Sequence, residues 1–294
     1  MPVHVLVPVD GSSQSFAGLV YTLVSFPEAS VTVLHVLDPV SGGYPVSRLD
    51  DDPDATPQQL GEEILEEASE IAAVYDRDFE TAIESGRPHT VVLEQIAESD
   101  VDHVVLGSHG GSPVAGPFLG HVSEAVVQRS PVSTTVVPET RADVLQRSFP
   151  GRILVPVDGS EQSLAALEYA IDRFPAGRFT ILHAVSQPFA SEDGPDGGVL
   201  DALNDRLTAR GESILDRAKR SVGADDVLVE TALERGEPAR AIVEYAAAHG
   251  FDQIVMGSHG RSLPARIVLG SVAETVARRS PVAVTLVRGR PDGG

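Results

Sequence analysis

The chain has 294 residues, 42% of them hydrophobic, with 43 acidic against 22 basic side chains and a formal net charge of −21. It has no cysteine, which excludes disulfides, thiolate metal sites and a cysteine nucleophile. The acid excess speaks against a nucleic-acid partner, because phosphate backbones need a basic footprint.

Lys219 is the only lysine. An acidic surface depleted in lysine fits high salt, where repulsion among carboxylates is screened over a few ångströms. Aromatic residues make up 5% and tryptophan is absent, so the core is expected to be aliphatic. The first residues, MPVHVLVPVDGSS, lack the basic start and long apolar stretch of a signal peptide. No apolar run approaches a membrane span, and a cytoplasmic protein is expected.

In chain order, residues 3–9 form a β-branched run that reads as a buried strand. Ser12 is placed to cap a helix running to about Phe26, and residues 30–37 read as a second strand. Residues 38–57 are rich in Gly, Pro, Ser and Asp and read as a loop. Residues 58–75 have helical spacing with an acidic outer face. Residues 81–84 read as a short third strand. Pro88 opens a helix at its first turn, where a missing N–H costs nothing. A fourth strand over 101–106, a glycine-punctuated loop, a helix near 122–128 and a fifth strand over 131–137 follow.

The pattern then repeats. Val7-Pro8-Val9-Asp10-Gly11-Ser12 recurs as Val155-Pro156-Val157-Asp158-Gly159-Ser160, and Leu34-His35 as Leu182-His183. Gly107-Ser108-His109-Gly110 recurs as Gly257-Ser258-His259-Gly260, and Arg129-Ser130-Pro131-Val132 as Arg279-Ser280-Pro281-Val282. The order never changes, so a whole domain is duplicated, a period too long for a solenoid. Strands of the second copy are expected at 153–157, 179–185, 227–233, 253–256 and 282–287. Residues 139–149 read as a polar linker with room for a short helix. Two domains follow, 1–140 and 150–294. Alternating β and α elements imply a mostly parallel sheet with helices on both faces. Such sheets bind ligands beyond the strands' carboxyl ends, where strand order reverses.

Two loops should meet at that edge, one after the first strand and one after the fourth. In the second copy the latter carries Gly257, Gly260, Gly270 and Ser271 with the spacing G-x2-G-x9-G-S. This is neither the lysine-bearing P-loop nor the dinucleotide fingerprint. Glycine there permits a sharp turn and close ligand approach. The N–H groups of a helix beginning at Gly270 suit phosphate oxygens, and the Ser271 hydroxyl adds a hydrogen bond. Arg261 and Arg266 bring positive charge.

Both halves resemble the universal stress protein A family. The resemblance rests on Pro-Val-Asp-Gly-Ser after the first strand, Leu-His at the second, Gly-x-Pro before the third helix, Gly-Ser-His-Gly after the fourth strand and Ser-Pro-Val entering the fifth. It implies two tandem adenine-nucleotide alpha-hydrolase-like domains, each a five-stranded parallel sheet of order 3-2-1-4-5 with helices on both faces. It also implies the ATP-binding branch, marked by G-x2-G-x9-G-[ST], and with the acidic surface a haloarchaeal source.

By position, the resemblance implies that Pro156 and Asp158 flank the adenosine, with Asp158 on the ribose. Ala184 stands at the adenine contact, and Met256 and Gly257 line the nucleotide. Gly260, Gly270, Ser271, Val272 and Ala273 surround the phosphates, with Arg261 in the same loop. The family often has a hydroxyl residue where this chain has Ala273. In the first copy Pro8, Asp10, Val36, Leu106, Gly107, Gly110, Gly120, His121, Val122 and Ser123 fill the equivalent places. There Gly111 replaces the arginine and His121 stands where Ser or Thr is expected, so the stronger site is expected in the second copy. ATP is the implied ligand; AMP or ADP would use the same loops, and the need for Mg2+ stays open.

His103, His109 and His121 lack metal-ligand spacing, and no metal site is expected. The acidic stretch 50–54 lacks a calcium-loop pattern and reads as solvated loop, and His35 and His183 as core or strand-edge residues. No nucleophile–base constellation is visible. Three readings stay open: a nucleotide-binding stress or regulatory protein, a slow ATPase or phosphotransferase, and a non-binding scaffold. The family commonly pairs through its fifth strand, an exposed edge. Residues 134–137 and 284–287 are therefore expected to pair within one chain as a pseudo-dimer, with a homodimer of whole chains open.

Overall fold

The computed structural model describes residues 3–38, 56–109, 119–138, 141–147, 149–186, 197–222, 229–259 and 269–288. In the first half β1 (His4–Val9), α1 (Ser13–Ser25), β2 (Ser30–Leu37), α2 (Pro57–Ala73) and β3 (Glu80–Ser85) are followed by α3 (Pro88–Glu98), β4 (His103–Gly107), α4 (His121–Arg129) and β5 (Ser133–Val137). A short helix α5 (Arg141–Val144) leads to the second half. There β6 (Arg152–Pro156), α6 (Glu161–Arg173), β7 (Arg178–Val185), α7 (Gly197–Ser221) and β8 (Val229–Arg235) precede α8 (Pro238–Ala248), β9 (Gln253–Gly257), α9 (Ser271–Arg279) and β10 (Ala283–Val287).

The helix boundaries follow from local chemistry. The Ser12 side chain accepts from the Ser15 N–H and Ser160 from the Ser163 N–H, each relieving an orphan donor of a helix start. Thr56 and Gln59 form a capping box ahead of Pro57. Gly11 and Gly159 adopt φ of 81° and 79°, which lets the chain turn from strand into capped helix without Cβ strain.

The expected five-stranded order holds in each half, but the halves do not form two separate sheets. They join in one ten-stranded sheet of order β3-β2-β1-β4-β5-β10-β9-β6-β7-β8. Every pairing is parallel except β5 with β10, where Thr135 faces Thr285 and their hydroxyls lie 2.7 Å apart. These threonines are equivalent in the repeat, so a pseudo-two-fold passes between them. The contacts around it are exchanged in the same sense. Tyr21 of α1 donates to Gln253 at the start of β9, at 2.7 Å. The equivalent Tyr169 of α6 lies 2.8 Å from Nδ1 of His103 at the start of β4.

Alternation along each strand sends side chains to two aliphatic layers. Val5, Val7, Ile153 and Val155 pack with Phe16, Ile64 and Leu167 on one face. Leu6, Leu34, Leu154 and Ile254 pack with Val92, Val126, Ile242 and Val276 on the other. Both layers run through both halves. The segment read as a linker is part of this packing: Val144 is buried in the first layer, and Arg147 reaches Asp252 and the Phe251 carbonyl. Among the described residues no helix is long and apolar enough to cross a membrane.

Candidate functional site

The crevice is made by strands that part company. β6 and β9 pair only through Ile153–Gln253 and Leu154–Ile254, yet the strands run on to Pro156 and Gly257. β1 and β4 do the same after Leu6–Val104. Strand order reverses at both places, so a gap opens beyond the carboxyl ends at each switch point. Proline suits this position. The Val157 N–H donates to Leu182 of β7 at 2.8 Å, so position 156 faces β9, where the ladder has ended. An N–H at 156 would have no strand partner, and proline lacks one.

The turn after β6 borders this gap. Oδ1 of Asp158 accepts from the Ser160 N–H at 2.9 Å and from its hydroxyl at 2.5 Å, and that hydroxyl also caps α6. Asp10 and Ser12 repeat the arrangement at 3.0 and 2.6 Å. The motif aspartate therefore holds the helix cap through one carboxylate oxygen. A shallow cleft beside it is lined by Gly159, Ser160, Glu161, Gln162, Leu164 and Arg217, with the Arg217 guanidinium donating to the Gly159 carbonyl.

The loop after β9 arrives from the other side. A Cβ on Gly257 would stand 3.1 Å from the Gln162 carbonyl oxygen, and one on Gly107 2.6 Å from that of Gln14. The space these glycines leave open is filled by the first turn of α6 or α1, not kept clear for a ligand. Gly257 therefore lets the end of β9 lie against the first turn of α6. Farther along, the Gly270 N–H donates to the Ser258 carbonyl, tying the start of α9 to the strand end. Gly120 and Ser108 do the same for α4. Both helices begin with no side-chain cap.

The structure therefore brings Pro156, Asp158, Gly257, Gly270 and Ser271 to one edge of the sheet, and Pro8, Asp10, Gly107, Gly120 and His121 to another. Ser271 and His121 are exposed at their helix starts, and Val272 and Val122 are half-buried behind them. Ala184 and Val36 lie half-buried near the ends of β7 and β2. Met256, Leu106 and Ala273 are core residues at 6%, 2% and 2% exposure, so their side chains point into the second layer and only their backbone remains for a ligand. Ser123 is buried, and its hydroxyl donates to the Gly107 carbonyl at 2.7 Å, a fold contact. Gly110, Gly111, Gly260, Arg261 and Arg266 lie outside the described residues, as does the acidic stretch 50–54.

Several histidines hold the fold. His35 and His183 hold the Val9 and Val157 carbonyls through Nδ1 at 2.8 and 2.7 Å. His103 lies between Thr135 and Tyr169 with both ring nitrogens engaged, and burial, aided by Arg173, pushes its pKa down to about 3. Burial and the nearby Arg288 guanidinium lower the pKa of His259. Arg217, Arg288 and Tyr169 escaped the sequence reading, for none lies in a repeated motif that points at a ligand.

The model of the "Universal stress protein family" matches residues 1–138 and again 150–288. The chain belongs to the universal stress protein family. A universal stress protein of Mycobacterium tuberculosis is 27% identical over 295 residues, covering 97% of this chain and 96% of its own. A crystal structure of a universal stress protein from Archaeoglobus fulgidus has a TM-score of 0.68 at 27% identity, covering 97% of this chain and 98% of that one. The tandem architecture is thus shared over the full length of both relatives. A universal stress protein solved in complex with cAMP matches 47% of this chain and 96% of its own, at 30% identity and a TM-score of 0.35.

Proposed function

We propose that this universal stress protein binds an adenine nucleotide at the edge of its second domain and uses the bound state to regulate its contacts. ATP is the preferred ligand, with ADP and AMP suiting the same loops and Mg2+ arriving with the phosphates. The reading rests above all on the splayed ends of β6 and β9, which open a gap between the Asp158 turn and the uncapped start of α9. Phosphate oxygens at that start gain N–H donors and the positive end of the helix dipole. Ser271 adds an exposed hydroxyl there, where the first domain has His121. Arg261 and Arg266 in the same loop supply charge that the first copy's loop lacks. The first domain carries the weaker site.

We further propose domains at 1–140 and 150–294, paired through β5 and β10 within one chain in solution, in a cytoplasm of high salt. Calorimetric titration of the full chain with ATP in concentrated KCl tests the binding role. The expected result is saturable binding, weakened by Asp158→Ala, with no sustained phosphate release over many turnovers. Sustained release abolished by Asp158→Ala would replace the binding role with an enzymatic one.

A further inference from the structure

Arg288 follows β10 and is half-buried. Its guanidinium lies 3.1 Å from Nε2 of His259. It also donates to the Val127 and Gln128 carbonyls at 3.0 and 3.2 Å, at the C-terminal end of α4 in the other domain. Its own N–H donates to Ser133 Oγ of β5. One side chain therefore joins the root of the second domain's glycine loop to a helix of the first.

The protonation of His259 follows from this contact. A guanidinium only donates, so Nε2 must accept and carry no proton. The ring is then neutral with its proton on Nδ1. That N–H donates to Ser258 Oγ, 2.8 Å away. His259 is 7% exposed, so the ring is held on both sides directly before Gly260. A cation at a helix C-terminus is in addition favoured by the dipole.

Among the described residues the first domain has no such device. His109 makes the same 2.8 Å contact to Ser108, but its Nε2 is buried with no hydrogen-bond partner. The position equivalent to Arg288 is Pro138, which has neither an N–H nor a side-chain donor. Among the described residues no side chain holds Nε2 of His109 or reaches from it to α9 as Arg288 reaches from His259 to α4.

We propose that Arg288 is a positioning residue for the second nucleotide loop. It locks His259 as the Nδ1–H tautomer and ties the strand end that leads into Gly260 to α4, so that the affinity of the second site depends on its contact with the first domain. The dependence runs one way. The ligand side of this inference rests on the nucleotide reading above; the tautomer does not.

The test uses the full chain with Arg288→Met and Arg288→Lys. Long-range nitrogen–proton NMR of the ring reads the tautomer, calorimetry reads ATP affinity, and thermal melting reads the fold. Wild type is expected to show the Nδ1–H pattern at His259. In Arg288→Met that pattern should relax toward a mixture, and ATP should bind about tenfold more weakly, as for a typical coupling between sites. Arg288→Lys keeps the charge but lacks the planar fork that reaches ring and carbonyls together, so it should fail in the same direction. It carries the test if the methionine variant melts too low to titrate. An Nε2–H pattern in wild type, or affinity within twofold of wild type in both variants, would overturn the proposal. If wild type binds no ATP, the nucleotide reading falls while the tautomer pattern still decides whether the brace exists.

Discussion

His103 shows how one buried side chain sets a pH dependence. Tyr169 from the other half and Thr135 from β5 hold its two nitrogens, and Arg173 stands near enough to disfavour a second proton. Burial holds its pKa at about 3 in the fold against 6.5 for a free imidazole. Between those values the unfolded chain binds a proton that the native chain does not. Stability therefore falls as pH drops through this window, by up to about 1.4 kcal/mol per pH unit. Gln253 stands at the equivalent place in the second half, where its amide accepts from Tyr21 and donates to Pro150. His103→Gln is thus a substitution the fold already uses. Denaturant titrations between about pH 6.5 and 5, above the carboxylate range, should show wild type losing stability and His103→Gln losing less. Parallel slopes would contradict this assignment.

At the level of elements, the glycine that ends each fourth strand is where strand and helix touch. Gly107 lies closer to α1 than Gly257 does to α6, with a Cβ meeting Gln14 oxygen at 2.6 Å against Gln162 oxygen at 3.1 Å. Both neighbours are backbone and cannot rotate away. Gly107→Ala should cost about 1–3 kcal/mol, as overpacking usually does, and Gly257→Ala less. Equal costs in chemical denaturation would mean that the contact does not govern these positions. Much at this level was legible in the sequence. The strands, the caps at Ser12 and Ser160, Pro88 opening α3 and the 3-2-1-4-5 order all follow from local patterns or from the family resemblance. The splay of β6 from β9 was not, because a strand's composition is the same whether its neighbour stays or departs. Nor was the close approach of Gly257 to the first turn of α6. Tyr21–Gln253 and Arg288–His259 stayed hidden because each includes a residue outside the motifs, the first pair lying 232 positions apart.

Taken whole, the molecule is two copies of one domain sharing one sheet, and some of their differences lie at the seam. Arg278 of α9 pairs with Glu124 of α4 across the seam and with Glu274 on its own helix, whereas its counterpart Gln128 stays with Glu124. Arg288 and Pro138 differ in the same one-sided way. A formal charge of −21 adds self-repulsion to this assembly, which salt screens within about 10 Å at 0.1 M and about 3 Å at 1 M. The melting temperature should rise steeply with KCl; a flat response between about 0.1 M and about 1 M would detach the acidic surface from any role in high salt.

The central claim is a single strong adenine-nucleotide site, in the second domain. Denaturing the purified full chain and identifying the released nucleotide by mass spectrometry addresses it most directly, in wild type, Gly270→Val and Gly120→Val. The expected result is an adenine nucleotide at no more than about one per chain, a stoichiometry set by one complete loop, lost in Gly270→Val and kept in Gly120→Val. Two nucleotides per chain, none at all after loading with ATP, or loss confined to Gly120→Val would contradict it.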